Sequence, residues 1–117
     1  MKYLVTDDSK LARLSLIKSL KIHVGEAEIF QATNGLIAVE TMEKENVDII
    51  FLDLTMPIMD GYEALPKLKE LKQNVKIIVV SADIQEQAKE KVISLGADLH
   101  VQKPINADKM KEILELI

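Results

Sequence analysis

Two short apolar runs constrain the fold of this chain more than any other feature. Residues 49–52 (IIFL) and 77–80 (IIVV) are rich in β-branched side chains, and neither run alternates apolar with polar residues. Strands that are buried on both faces of a parallel sheet have this pattern. Residues 3–5, 29–30 and 99–101 are shorter candidates of the same kind. The chain is therefore expected to contain five strands.

The stretches between these runs have the spacing of helices. Apolar residues recur there at intervals of three or four, which is typical of amphipathic helices. The sets are Leu11, Leu14 and Ile17; Leu36, Val39 and Met42; Leu65, Leu68 and Leu71; Ile84, Ala88, Val92 and Leu95; and Met110, Ile113, Leu114 and Ile117. Five strand–helix units follow, with strands starting near Tyr3, Glu28, Val47, Val75 and Asp98.

Residues with strong local preferences support these boundaries. Ser9, Asn34 and Asp108 are candidates to cap the starts of helices, and Gly25 and Gly96 fit helix ends. Pro66 lies about one turn into the third predicted helix. Proline lacks the backbone amide that donates a hydrogen bond in a helix interior. We expect it to shorten or kink that helix unless the helix begins later.

Repeated strand–helix–strand connections predict a parallel sheet with right-handed crossovers and helices on both faces. The fold class expected is α/β, a doubly wound, flavodoxin-like (βα)5 domain with a five-stranded parallel sheet. Since 117 residues suit one domain and no stretch has the composition of a linker, residues 1–117 are expected to form a single domain.

Composition excludes several classes of function. The net charge of −4 disfavours nucleic acid as a partner, because binding to phosphates needs clustered positive charge. The absence of cysteine excludes disulfides, thiolate metal sites and a cysteine nucleophile. The apolar runs are too short to cross a membrane, and Asp7 and Asp8 come too early for a secretory signal. A cytoplasmic protein that does not enter the membrane is expected.

Polar side chains follow four of the predicted strands. Asp7 and Asp8 end the first strand, Asp53 the third, Ser81 the fourth and Lys103 the fifth. Each alone has an ordinary explanation as a turn, cap or surface residue. The carboxyl ends of parallel strands meet at one edge of a sheet, however, where ligands collect. Their convergence therefore indicates a site.

The side chains in this set suit phosphoryl chemistry. Carboxylates without histidine or cysteine favour a hard divalent ion, most plausibly Mg²⁺. Lys103 and Ser81 could contact phosphoryl oxygens. Attack of a carboxylate oxygen on phosphorus would give an acyl phosphate.

These residues, taken in order, resemble the receiver domain of two-component response regulators over the whole chain. The motifs are Asp7-Asp8; Asp53 followed by Met56-Pro57 and Asp60-Gly61; Ser81-Ala82; Gly96-Ala97; and Lys103-Pro104. The resemblance implies that Asp53 accepts the phosphoryl group. It implies that Asp8, Asp53 and the backbone carbonyl of Thr55 bind Mg²⁺ directly, and that Asp7 acts through metal-bound water.

The resemblance also implies a switch. Ser81 would move towards the phosphoryl group, Lys103 would contact it, and Thr55 and Asp83 would tune its lifetime. The Lys103–Pro104 peptide is commonly cis in such domains. His100 stands where the family usually has a rotating tyrosine or phenylalanine, so the aromatic part of the switch differs here.

The function implied is that of a phosphorylated switch rather than an enzyme. The phosphoryl donor would be a sensor histidine kinase or a histidine phosphotransfer protein. A protein target, in chemotaxis for example, would bind the face made by helix four, strand five and helix five. We expect a monomer without an output domain. Four alternatives stay open: a phosphorelay intermediate, a receiver fragment of a longer regulator, a small Mg²⁺-dependent phosphatase, and a receiver-like binding module that does not accept phosphate.

Overall fold

The computed structural model describes residues 1–82 and 84–117, in which strands and helices alternate. The strands are β1 (Lys2–Thr6), β2 (Glu28–Ala32), β3 (Ile49–Leu52), β4 (Lys76–Ser81) and β5 (Leu99–Gln102). The helices are α1 (Lys10–Val24), α2 (Gly35–Glu45), α3 (Gly61–Leu71), α4 (Glu86–Ser94) and α5 (Ala107–Leu116). Every predicted strand and helix is present, with boundaries that differ by a few residues at most.

All the strand pairs are parallel, and the strand order in the sheet is β2-β1-β3-β4-β5. The predicted α/β, doubly wound architecture is therefore confirmed. The winding direction reverses between β1 and β3, which are neighbours in the sheet. In such sheets the crevice for a ligand lies beyond the carboxyl ends of the strands at this reversal.

The apolar runs do not alternate because both faces of the sheet are covered. In β3, Ile50 and Leu52 pack into the core layer that α2 and α3 help to form. Ile49 and Phe51, on the other face, pack into the layer shared with α1 and α5. All four side chains are buried. The strand that carries Asp53 at its end is thus held in apolar packing from both sides.

Some local expectations need correction. Ser9 and Asn34 cap α1 and α2 as predicted, but the cap of α5 is Asn106 and not Asp108, which lies in the first turn. The amide oxygen of Asn106 accepts a hydrogen bond from the backbone amide of Lys109 at 2.8 Å. Pro66 was expected to shorten or kink α3; a shorter helix is wrong, since α3 continues through Pro66 to Leu71, and the kink stays a prediction.

The three-residue spacing in α1 predicted a helix, but it does not mark the buried face. Leu11 is 80% exposed and Leu14 46%, whereas Ile17 and Leu20 are buried. An α-helix has 3.6 residues per turn, so each step of three residues falls about 60° short of a full turn. The set that starts at Leu11 therefore drifts around the helix and reaches the core only at Ile17.

Candidate functional site

The site lies where β1 and β3 end side by side at the centre of the sheet. Backbone hydrogen bonds fix the two residues that follow these strands. The Asp7 amide donates to the Ala32 carbonyl at 3.1 Å, and the Asp53 amide donates to the Thr6 carbonyl at 2.9 Å. Sheet pairing thus continues one residue beyond the strands and places both carboxylates at the same edge.

Three carboxylates meet at this edge. One oxygen each of Asp7, Asp8 and Asp53 lies within 4.8 Å of the other two. Asp7 and Asp53 are buried and Asp8 is exposed, so the cluster is open to solvent on one side. Oxygen ligands packed this closely repel each other and suit a small, hard divalent cation. The donor set therefore fits Mg²⁺.

Lys103 contacts two carboxylates of this cluster. Its Nζ lies 2.7 Å from Oδ2 of Asp7 and 3.3 Å from Oδ1 of Asp53. Burial by itself lowers the pKa of the Lys103 ammonium, but the hydrogen bond to Asp7 and the charge of Asp53 outweigh it and raise the pKa. Lys103 therefore stays charged at neutral pH, ready to contact an anionic group at Asp53.

The Asp53 carboxylate is held in an environment that disfavours its charge. Burial raises the pKa of Asp53, and the negative charge of Asp7 raises it further. The Lys103 ammonium and the Leu54 amide, which donates to Oδ1 at 2.9 Å, act in the opposite direction without cancelling the effect. A carboxylate of higher pKa is more basic, and it gains stability when an electrophile or a cation removes its negative charge.

Gly61 explains why the loop after Asp53 carries the pair Asp60-Gly61. A Cβ atom on Gly61 would lie 2.2 Å from the Asp53 carbonyl oxygen, closer than any side chain allows. The Gly61 amide donates to the Leu54 carbonyl at 3.0 Å, and Asp60 caps α3 through the Glu63 amide. Glycine therefore lets α3 begin directly against the end of β3.

Of the other predicted site residues, Ser81 and Thr55 lie at or just beyond the ends of their strands, whereas His100 lies within β5. Ser81 is buried at the end of β4, and its carbonyl accepts the Lys103 amide at 2.9 Å. Thr55 is exposed two residues after Asp53, and the Lys103–Pro104 peptide is cis. His100 is half-buried in β5, where it pairs with Val79. Asp83 lies outside the described residues.

Sequence reasoning missed one residue at this site, Arg13 of α1. Its Nη1 donates to the Asp7 carbonyl at 2.9 Å, and its Nε donates to Oε1 of Gln31 in β2 at 3.0 Å. The signal available in the sequence was that Arg13 is the only arginine among fifteen basic residues. Its partner Gln31 is eighteen residues away, so the contact itself depends on the tertiary fold.

Comparison with known proteins gives a consistent result. The family model for the response regulator receiver domain matches residues 3–115. The chain is 36% identical over 115 residues to the chemotaxis protein CheY of Listeria monocytogenes, covering 98% of this chain and 96% of that protein. It is 35% identical over 92 residues to sporulation initiation phosphotransferase F of Bacillus subtilis, covering 75% of this chain and 71% of that protein.

Solved structures agree with the fold. A chain in the CheX–CheY–BeF₃–Mg²⁺ complex from Borrelia burgdorferi matches with a TM-score of 0.87 and 28% identity, over 99% of this chain and 85% of that chain. In the part of the chain that the structure describes, none of the helices has the length and apolar character needed to span a bilayer.

Proposed function

Because this chain belongs to the response regulator receiver family, we propose that it is a phosphorylation-controlled switch whose phosphoryl acceptor is Asp53. One observation supports this most strongly. Asp53 combines burial, two neighbouring carboxylates and a lysine contact at 3.3 Å at the central edge of the sheet. A carboxylate destabilised in this way is better suited to reaction than to holding the fold together.

The chemistry assigned to Asp53 is nucleophilic. Oδ1 accepts the Leu54 amide and lies near Lys103, so we assign Oδ2 as the attacking oxygen. It forms a bond to the phosphorus of a phosphohistidine while the bond from phosphorus to the imidazole nitrogen breaks. The donor histidine leaves as a neutral imidazole once it gains a proton, and Asp53 becomes an acyl phosphate. Lys103 stabilises the phosphoryl oxygens at this stage.

The residues that would hold Mg²⁺ are Asp8, Asp53 and the Thr55 carbonyl, with Asp7 acting through water. A bound Mg²⁺ ion supplies positive charge that offsets the repulsion between these carboxylates and a phosphoryl group. Asp7 keeps its place through the hydrogen bond from Lys103, so the carboxylate cluster and the lysine form one unit.

Phosphorylation is read out through Ser81 and His100 in this proposal. The Ser81 hydroxyl donates a hydrogen bond to the phosphoryl group. This contact at the end of β4 shifts a pre-existing equilibrium towards the active form. His100, on the neighbouring strand β5, responds as the switch ring of the α4–β5–α5 face. Thr55 and Asp83 set how quickly water removes the phosphoryl group.

We assign a sensor histidine kinase or histidine phosphotransfer protein as the donor. The target is a protein that binds the α4–β5–α5 face. The name of the Listeria relative supports a role in chemotaxis signalling, and we propose that the protein acts in the cytoplasm. We further propose that residues 1–117 act as a monomeric receiver domain. The likeness to sporulation initiation phosphotransferase F favours a phosphorelay intermediate as the second candidate.

The experiment that tests the acceptor is intact mass spectrometry after incubation with acetyl phosphate, with and without Mg²⁺. We expect a gain of one phosphoryl group that requires Mg²⁺ and is lost in Asp53→Ala. Asp108→Ala, which removes an exposed carboxylate in α5, is the matched control and should be modified like the wild type. No gain with any donor would leave a receiver-like binding module as the function.

Two further measurements separate the alternatives. Turnover of para-nitrophenyl phosphate well beyond one equivalent would identify a phosphatase, whereas receiver domains in general are signalling domains and not enzymes. Transfer of the phosphoryl group from Asp53 to a histidine phosphotransfer protein would favour the phosphorelay candidate over a chemotaxis switch.

A further inference from the structure

Arg13 joins three parts of the molecule at the edge of the acidic site. It lies in the first turns of α1, donates through Nη1 to the Asp7 carbonyl, and donates through Nε to Gln31 on β2. We propose that Arg13 is a positioning residue that holds the loop between β1 and α1 in the geometry that binds the divalent cation. This inference rests on the proposed function, since it concerns the same metal site.

The Asp7 carbonyl belongs to the peptide group that links Asp7 to Asp8. The other contacts of Asp7 fix its amide, which donates to Ala32, and its carboxylate, which accepts from the Ser9 amide at 2.9 Å and from Lys103. The hydrogen bond from Arg13 fixes the plane of the peptide that follows. The direction of the exposed Asp8 side chain therefore depends on Arg13.

Arginine is suited to this role in a way that lysine is not. The guanidinium is planar and presents donors in a rigid fork, so one side chain can hold two acceptors in fixed directions. Here the fork spans the Asp7 carbonyl at 2.9 Å and Gln31 at 3.0 Å. Gln31 is exposed on the edge strand β2, and its role in this arrangement is to orient Arg13.

The charge of Arg13 and its tethering role predict opposite effects on metal binding. A positive charge near the site repels Mg²⁺, so removing the charge alone would tighten binding. Removing the tether releases the peptide that orients Asp8 and weakens binding. The sign of the change in Mg²⁺ affinity after substitution of Arg13 therefore separates the two.

The test is an NMR titration of amide resonances with MgCl₂ on the wild type and on matched variants. We expect Arg13→Ala to raise the Kd for Mg²⁺ on the order of tenfold, as for other residues that orient metal ligands. Arg13→Lys retains the repelling charge but loses the fork, so it should raise the Kd at least as much as Arg13→Ala. Lys10→Ala removes a neighbouring charge of α1 and should leave the Kd unchanged or lower. An unchanged or lower Kd in Arg13→Ala would overturn the proposal.

A double-mutant cycle tests the bridge to Gln31. Gln31→Ala should raise the Kd in the wild-type background and have no further effect in Arg13→Ala, because Gln31 acts only through Arg13. Equal effects of Gln31→Ala in both backgrounds would overturn the bridge.

Hydrogen exchange of the amides of residues 8–10 tests the tether without any metal. Exchange there should accelerate in Arg13→Ala and stay unchanged in Lys10→Ala, and equal protection in Arg13→Ala and the wild type would contradict the tether. Failure of the proposed function has a different signature. The wild type itself would then neither bind Mg²⁺ nor accept a phosphoryl group.

Discussion

The two ends of the parallel sheet both carry aspartates and lysines, but they balance these charges in opposite ways. At the end where the strands begin, Asp48 and Asp98 each have their own donors. Asp98 accepts the Ile77 amide at 2.8 Å and lies 3.3 Å from Nζ of Lys69. The backbone amide of Lys2 donates to Asp48 at 2.8 Å and is the main cause of its lowered pKa. The ionised form of Asp48 is thus favoured in the folded protein.

At the end where the strands finish, three carboxylates lie close together, and the two buried ones share one lysine. Lys103 contacts Asp7 and Asp53, and burial together with the charge of Asp7 raises the pKa of Asp53. An ionised Asp53 therefore destabilises the folded protein until a cation or a phosphoryl group changes the charge balance. The comparison teaches that the same residue types stabilise the fold where each aspartate has its own donors, and leave an unfavourable charge where two buried carboxylates share one lysine.

The largest change in stability is expected at the end where the strands begin, where Asp48 and Asp98 have their own donors; we call this the balanced end. Asp98→Ala removes the acceptor for both the Ile77 amide and Lys69, so the free energy of unfolding should fall by about 2 kcal/mol. Asp98→Asn keeps one acceptor oxygen and should lose clearly less. Urea denaturation at neutral pH measures both variants. Equal stability of Asp98→Ala and the wild type would show that this end is not balanced by its carboxylates.

Removal of an aspartate charge at the end where the strands finish should change the free energy of unfolding in the opposite direction. Asp53→Asn removes a buried negative charge and leaves Lys103 paired with Asp7, so the free energy of unfolding at neutral pH should rise by about 1 kcal/mol. The pKa of Asp53 is raised in the folded state. The wild type therefore loses stability relative to the variant as pH rises from about 4, the ordinary pKa of aspartate, through the raised pKa.

Urea denaturation in the presence of a chelator at pH 4 and at pH 7.5 measures this difference. The two proteins should be nearly equal in stability at the lower pH, and the variant should be more stable at the higher pH. Addition of Mg²⁺ at pH 7.5 should stabilise the wild type and narrow the gap, since the ion offsets the repulsion. A variant less stable than the wild type at pH 7.5 would contradict the assignment of Asp53 as a destabilising charge.

The backbone is also relaxed before β3 and strained after it. Asn46, which precedes β3, has φ of 50°, and Ile58, in the loop after β3, has φ of 69°. Asparagine tolerates this left-handed region, but a β-branched residue there is strained. Ile58 is 78% exposed, so burial of its side chain does not offset this strain. The Met59 amide donates a hydrogen bond to the Pro57 carbonyl at 2.7 Å, which closes a tight turn around Ile58.

Exchange of these two side chains should therefore act in opposite directions. Ile58→Asn should raise the free energy of unfolding by about 0.5–1 kcal/mol, because the new residue tolerates the turn. Asn46→Ile should lower it by about 1 kcal/mol. Thermal denaturation followed by circular dichroism measures both. If Ile58→Asn lowers the stability, the loop after β3 is not strained at this position.

The sequence predicted the parts of the fold and site that depend on local pattern. The runs at β3 and β4 identified the sheet, and the residues that follow the strands identified Asp7, Asp53, Ser81 and Lys103 as neighbours. The roles of these residues stay predictions. Contacts that depend on side chains from distant elements could not be predicted in this way. The bridge from Arg13 to Gln31 spans two elements that sequence spacing does not relate.

Local choices between similar residues also escaped prediction. Asn106 and Asp108 are both good capping residues, and which of them caps α5 depends on where the chain leaves β5. Leu11 has the character of a core residue, but it lies in the first turn of α1, on the side away from the sheet. A pattern of residue types states what can be buried, whereas the tertiary fold decides which members of it are.

The smallest change in stability should come from Lys76, whose side chain contributes to the balanced end only through an ion pair with Asp98. Nζ of Lys76 lies 3.9 Å from Asp98 and its side chain is 50% exposed, whereas Lys69 is 22% exposed and also donates to the Val75 carbonyl at 2.7 Å. Exposed ion pairs contribute little, because water screens the attraction and the long side chain loses freedom. Lys76→Met should change the free energy of unfolding by less than about 0.3 kcal/mol.

Lys69→Met, which keeps the aliphatic stem, should cost about 1 kcal/mol, because it leaves the Val75 carbonyl and Asp98 without this donor. Equal loss of stability in the two variants would show that the charge of each lysine, and not its hydrogen bonds, stabilises the end of the sheet where the strands begin.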